Sequence, residues 1–115
     1  MKRLILLVGI AFLLAAMGAC GSQEEKKMKF LDKGKTLYEQ GDYVKAQLEF
    51  KNALQIDPKF ADGYYWLGMI KQHEGNWKQA YGSFAKAAEL DPDHLKAQLQ
   101  LGRLHHKVQF YFSLA

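Results

Sequence analysis

The chain has 115 residues, with one cysteine, four histidines and 12 acidic side chains, and their spacing decides which chemistry is open to it. A single cysteine cannot form an internal disulfide, so Cys20 is available only as a lone thiol. His105 and His106 are adjacent. Neighbours on a helix point about 100° apart, whereas metal-binding pairs on helices sit at i, i+4. Neither histidine has a His or Cys three or four residues away, so no metal site is expected. His73 and His94 read as surface residues. Four glycines, Gly34, Gly41, Gly68 and Gly75, are taken up by helix packing and turns, which leaves no glycine-rich phosphate loop. No catalytic constellation remains, and neither enzyme activity nor a cofactor is expected.

The surroundings of Cys20 give that thiol a use. A basic start, "MKR", leads into the apolar run "LILLVGIAFLLAA" and then "MGAC". The run from Leu4 to Ala19 is 16 residues, below the roughly 17–25 of a spanning helix, and fits a secretory signal. "MGAC" resembles the lipobox of bacterial lipoproteins, with Met17 where leucine is usual and Gly18 where alanine or serine is. The resemblance implies a signal peptide over 1–19, removed to leave Cys20 lipidated as the mature N-terminus. An ordinary signal peptide with an incidental cysteine and an uncleaved anchor are the alternatives. Each buried CH₂ adds about 0.8 kcal/mol, so two or three acyl chains, palmitate among them, would hold the protein on a bilayer. Residues 20–26 then carry the lipid and a solvated tether; "GSQEEKK" as a flexible chain reaches roughly 15 Å. Without Lys2 and Arg3 the net charge falls from +4 to +2, too mild to argue for nucleic acid.

Beyond the tether the sequence repeats. Residues 30–58 laid over 64–92, an offset of 34, give seven identities: Gly34/Gly68, Gly41/Gly75, Ala46/Ala80, Phe50/Phe84, Ala53/Ala87, Asp57/Asp91 and Pro58/Pro92. A third copy opens with Leu101 and Gly102. Gly34, Gly68 and Gly102 would sit inside helices, where glycine costs about 1 kcal/mol relative to alanine, so their use must lie in close approach of a paired helix. The alanines supply the matching small surface, Phe50 and Phe84 fill the space between, and Tyr43 and Trp77 stand at the turn. Gly41-Asp42 and Gly75-Asn76 read as a helix stop followed by an N-cap. Pro58 and Pro92 end the second helices.

This series at a period of 34 resembles the tetratricopeptide repeat, a helix–turn–helix unit, over residues 27 to about 107. The expected fold is all-α: two complete repeats, 27–60 and 61–94, and a partial third over 95–115, forming a short right-handed superhelix. Helices are expected near 27–40, 44–56, 61–74, 78–90 and 95–108, with no strands. The third repeat then departs from the pattern, with Gln109 in place of the turn glycine and Leu114 in place of an alanine, and "VQFYFSLA" is apolar. Three readings stand for it: a segment folded back as a makeshift cap, a face that pairs with another copy, or the front of a longer repeat protein.

In the family this chain resembles, first helices line a concave ligand face. The resemblance maps that face onto Lys35, Tyr38, Tyr65, Trp66, Met69 and Arg103, an aromatic and methionine centre with basic residues towards one end. Such a face suits an extended or helical peptide with apolar anchors and an acidic or C-terminal group. Tyr65, Trp66 and Met69 could equally pack between repeats. The members that clamp a chaperone's C-terminal dicarboxylate have Lys and Asn where this chain has Leu31 and Lys35, and Asn at the place of Trp66, which sets that subclass aside. Two functions follow. One is a lipid-anchored adaptor in bacterial envelope assembly or secretion, holding a partner of a pilus, outer-membrane or exopolysaccharide-export machine; Gly21 after the cysteine favours the periplasmic face of the outer membrane. The other is a structural fragment that self-associates through its apolar end or stacks on further repeats.

Overall fold

The structure, a computed structural model, describes residues 22–114. The expected signal segment, Cys20 and Gly21 lie outside the described residues, as does Ala115. The described residues form five helices and no strand: α1 over residues 22–39, α2 (Tyr43–Ile56), α3 (Ala61–His73), α4 (Trp77–Leu90) and α5 (Leu95–Ser113). The all-α expectation holds, and the helix ends between α2 and α4 fall within one residue of those the repeat implies.

The two intra-repeat turns are built alike because the same residues recur. Gly41 and Gly75 have φ of 83° and 77°, a left-handed conformation that favours glycine. Gly41 N–H donates to Tyr38 O at 3.0 Å and Asp42 N–H to Leu37 O at 2.9 Å; Gly75 to Gln72 and Asn76 to Lys71 repeat the pattern at 3.1 and 2.9 Å. This paired bonding satisfies the last carbonyls of α1 and α3. The next residue then caps the following helix, Asp42 Oδ1 accepting from Lys45 N–H at 3.2 Å and Asn76 Oδ1 from Gln79 N–H at 3.3 Å.

Between repeats, proline acts mainly through the residue before it. Asp57 and Asp91 are extended, with ψ of 95° at both, because the ring of Pro58 or Pro92 disfavours the helical region for its predecessor. Each aspartate then accepts from the backbone two residues on, Lys59 and Asp93, at 3.1 Å. Tyr64 and Gln98, which share a repeat position, both reach back to donate to the carbonyl of the preceding proline.

Packing follows the small-and-large series. Phe50 and Phe84, both fully buried, lie against Gly34 and Gly68, where a Cβ would come within 2.5 and 2.7 Å of a ring carbon. Two buried clusters result, one of Leu31, Ala46, Phe50 and Ile70, the other centred on Tyr65, Phe84 and Leu104. Leu54 presses on Gly63, and 34 residues further on the pair is Ala88 and Ala97, so the volume is redistributed between neighbours. Gly102 departs from the expectation: nothing lies within 4 Å of where its Cβ would be.

Both outer helices exceed their expected lengths. Residues 22–26, expected as a flexible tether, are helical, and the reason lies at Lys27. Its buried Nζ is 2.9 Å from Glu24 Oε2 and 3.1 Å from Asp57 Oδ2, and 4.4 Å above the Phe60 ring, tying the start of α1 to the connection between α2 and α3. Burial works against the ammonium, but the hydrogen bonds to Glu24 and Asp57 outweigh it and raise the Lys27 pKa above the ordinary lysine value. The same hydrogen bond from Lys27, helped by the Lys59 N–H, holds the Asp57 carboxyl below the usual range. At the other end, the chain does not fold back as a cap. With Gln109 and Phe110 in place of the stop glycine and the N-cap residue, α5 runs through to Ser113.

Candidate functional site

The first helices of the repeats, α1, α3 and α5, carry the residues the repeat pattern assigns to a ligand face. At their centre is a continuous ladder of rings. His73 stacks on Tyr43 at 4.0 Å between centroids, Tyr43 meets Tyr38 at 5.2 Å, Tyr38 meets Trp66 at 5.3 Å, Trp66 meets Tyr65 at 5.4 Å, and Tyr65 meets His94 at 5.1 Å. Phe50 lies parallel beneath Trp66 at 5.8 Å, and Phe84 lies 5.7 Å from Tyr65. The ladder therefore rests on the two buried phenylalanines of the second helices, and glycines at 34 and 68 let those rings sit close enough to support it.

Of the six residues assigned to the face, three come together as an accessible group and one does not belong to it. Tyr38 and Trp66 are half-buried and in contact, and Lys35 Nζ lies 5.7 Å over the Trp66 ring. Met69 is half-buried against the second cluster, and Arg103 is exposed on α5. Tyr65 is a correction: at 8% exposure it is a core residue held between Phe84, Trp66 and His94. It packs there because α4 and the loop before α5 close over its side of α3. Burial raises the phenol pKa of both Tyr38 and Tyr65, with Asp62 adding to the effect at Tyr65.

His94 is a second correction. Its side chain is 9% exposed, and it is a helix cap: Nδ1 accepts from Ala97 N–H at 3.2 Å while Nε2 lies 2.8 Å from Asp62 Oδ1. With Nδ1 accepting, Nε2 carries the proton donated to Asp62. Sequence reasoning placed His94 on the surface, although its position just before the helical run of 95–108 was the available signal. His73 is exposed, as expected, but its ring completes the ladder on Tyr43. One repeat on, the equivalent pair is Trp77 with Lys107, the ammonium 4.0 Å over the indole, so Lys107 is engaged with α4 and not free on the ligand face.

A cleft of about 550 Å³ opens between the start of α4 and the end of α5, bordered by Trp77, Lys78, Val108, Tyr111 and Phe112. Among the described residues no three His, Cys, Asp or Glu side chains gather as a metal site, and no helix is long and apolar enough to cross a membrane. The face offers half-buried rings, a thioether and exposed cations, which suit binding of a polypeptide.

An array of antiparallel helix pairs related by a fixed sequence offset, with small residues at each crossing, is a helical repeat fold. Two family models identify which one, "TPR repeat" over residues 34–72 and "Tetratricopeptide repeat" over residues 61–94, together more than half of the chain. The chain belongs to the tetratricopeptide repeat family. It is similar to a solved structure described as the second TPR of Spaghetti (RPAP3) bound to HSP90 peptide SRMEEVD, with a TM-score of 0.70 at 18% identity, covering 77% of this chain and 84% of that one. Over 59 residues it is 37% identical to the "Probable biofilm formation methyltransferase WspC" of Pseudomonas putida, covering 51% of this chain and 14% of that protein. Over 67 residues it is 37% identical to the UDP-N-acetylglucosamine–peptide N-acetylglucosaminyltransferase of Giardia intestinalis, covering 52% of this chain and 4% of that protein. The match thus spans a small fraction of each curated relative.

Proposed function

We propose that this protein is an adaptor: it holds a polypeptide segment along the face of α1, α3 and α5, and Cys20 carries the lipid that keeps it at a bacterial envelope membrane, the outer membrane favoured. The observation that carries the binding half is the Tyr38–Trp66 pair, half-buried at 5.3 Å with Lys35 above the indole. Rings fixed from below lose little entropy on binding, and the neighbouring Met69 thioether adapts to varied apolar anchors. Lys35 and Arg103 suit an acidic or C-terminal group on the same segment. Both enzymes it resembles match over a small fraction of their length, which supports a recognition role for the matching stretch over a chemical one. The HSP90 peptide belongs to the Spaghetti structure; here Leu31, at a position the chaperone clamps fill with lysine, is 1% exposed, which favours a different peptide.

The anchoring half is supported by the order of basic start, apolar run and "MGAC". It is tested by labelling cells with a palmitate analogue and separating membranes: the wild-type chain takes up label and sediments with membranes, and Cys20→Ser does neither. A Cys20→Ser chain that stays fully membrane-bound after signal cleavage would defeat the lipid anchor. The binding half is tested by affinity purification from envelope extracts with Trp66→Ala as the control. A partner retained equally by both would remove the assigned face from the function.

A further inference from the structure

On α1 and α3 one face is covered by the following second helix; on α5 the same face is bare. The correspondence is residue by residue at the 34-residue offset. Gly34 and Gly68 lie under Phe50 and Phe84, whereas nothing lies within 4 Å of a Cβ at Gly102. One turn towards the N-terminus, Leu31 and Tyr65 are 1% and 8% exposed, but Leu99, in the same place, is 56% exposed. A turn earlier again, Lys27 is 7% exposed and Leu95 is 75% exposed. Phe110, 61% exposed, extends this stripe along one side of α5.

What covers the face is visible twice in the same molecule. Both α2 and α4 present alanine, then phenylalanine four residues on, then alanine three further on: Ala46-Phe50-Ala53 and Ala80-Phe84-Ala87, all fully buried. The bare face is also continuous with that interface, since α5 already packs on α4 through Ala97 and Leu104. We infer that the Leu95–Leu99–Gly102 face is a docking site for an amphipathic helix of a partner polypeptide carrying the same alanine–phenylalanine–alanine spacing, its ring seated on Gly102. The repeat's own turn does not deliver such a helix, because α1 and α3 end at positions matching residue 107 while α5 runs six residues further. Nor does a folded second copy, whose Phe50 and Phe84 are both enclosed. This face is separate from the Tyr38–Trp66 pair, so it stands whether or not that pair binds a peptide.

The test uses a labelled peptide copying residues 76–94 of this chain, titrated into the full chain. Gly102→Ala is the informative variant because its Cβ meets nothing in the chain itself yet would strike a seated ring as at Gly34 and Gly68. Saturable one-to-one binding is expected, weakened about tenfold or more by Gly102→Ala in the chain and by Phe84→Ala in the peptide, with the melting temperature of the Gly102→Ala chain no lower than wild type. Absence of saturable binding would overturn the inference. So would equal binding to the Gly102→Ala chain, which would mean that the peptide exchanges with α4. Sedimentation showing a dimer that Gly102→Ala breaks and the peptide cannot displace would assign the face to a second copy instead.

Discussion

Alanine placed at the same repeat position in three helices separates packing from helix propensity. In a helix interior alanine is favoured over glycine by about 1 kcal/mol. At Gly102 nothing lies within 4 Å of the added Cβ, so Gly102→Ala should raise stability by roughly 0.5–1 kcal/mol. At Gly68 the Cβ would stand 2.7, 2.8 and 3.0 Å from three carbons of Phe84, whose ring is fully buried and has no solvent to swing into. Overpacking of that kind costs about 1–3 kcal/mol, so the propensity gain is offset or exceeded and Gly68→Ala should come out neutral to destabilising by about 2 kcal/mol. Gly34→Ala, 2.5 Å from Phe50 Cε1, should match Gly68→Ala. Urea unfolding followed by circular dichroism reads all three in one host. If Gly68→Ala stabilised as much as Gly102→Ala, the phenylalanine would not be seated on the glycine, and the packing logic given for the repeat would be wrong.

Phe84→Ala should cost about 3–5 kcal/mol by unfolding, since it empties the centre of the second cluster and removes the support beneath Tyr65. His94→Ala should lower stability by roughly 1 kcal/mol through loss of the α5 cap, and His94→Asn should restore most of it. Because Lys27 holds the Asp57 pKa below its unfolded value, that pair stabilises the fold above the unfolded carboxylate pKa of about 3.9 and ceases to as pH falls through the lower folded value. The raised Lys27 pKa gives the opposite limb: its contribution is present below the unfolded lysine pKa and lost as pH rises through the folded one. Stability measured against pH should therefore fall less steeply with acid in Lys27→Met than in the wild type. Restoring the stop signal with Gln109→Gly and Phe110→Asn should end α5 near residue 107, seen as loss of slow hydrogen exchange beyond it.

The turns were legible because each rests on residues local to it: glycine for a left-handed backbone, Asp42 and Asn76 for the caps, proline acting on its predecessor. The pairing of Gly34 and Gly68 with phenylalanines was legible through the repeat itself. Lys27 was not, because its partner Asp57 is 30 residues away and a lysine among charged residues reads as solvated. Tyr65 was misassigned for a related reason. Periodicity places a residue on a helix face, but the width that neighbouring helices cover is set by tertiary packing, and α4 with the loop before α5 covers Tyr65. The missing stop at Gln109 was visible in sequence, while its consequence was not: an unpunctuated helix simply continues, and α5 runs to Ser113 rather than turning back.

The central claim is that a polypeptide partner lies along the face of α1, α3 and α5. In-cell photocrosslinking from Met69, on that face, and from Gly82, exposed on α4 beside a separate groove, tests it most directly. The account predicts that position 69 captures a protein other than this chain, that Trp66→Ala abolishes the capture, and that position 82 does not give it. Equal capture from both positions, or capture only of further copies from position 69, would contradict it.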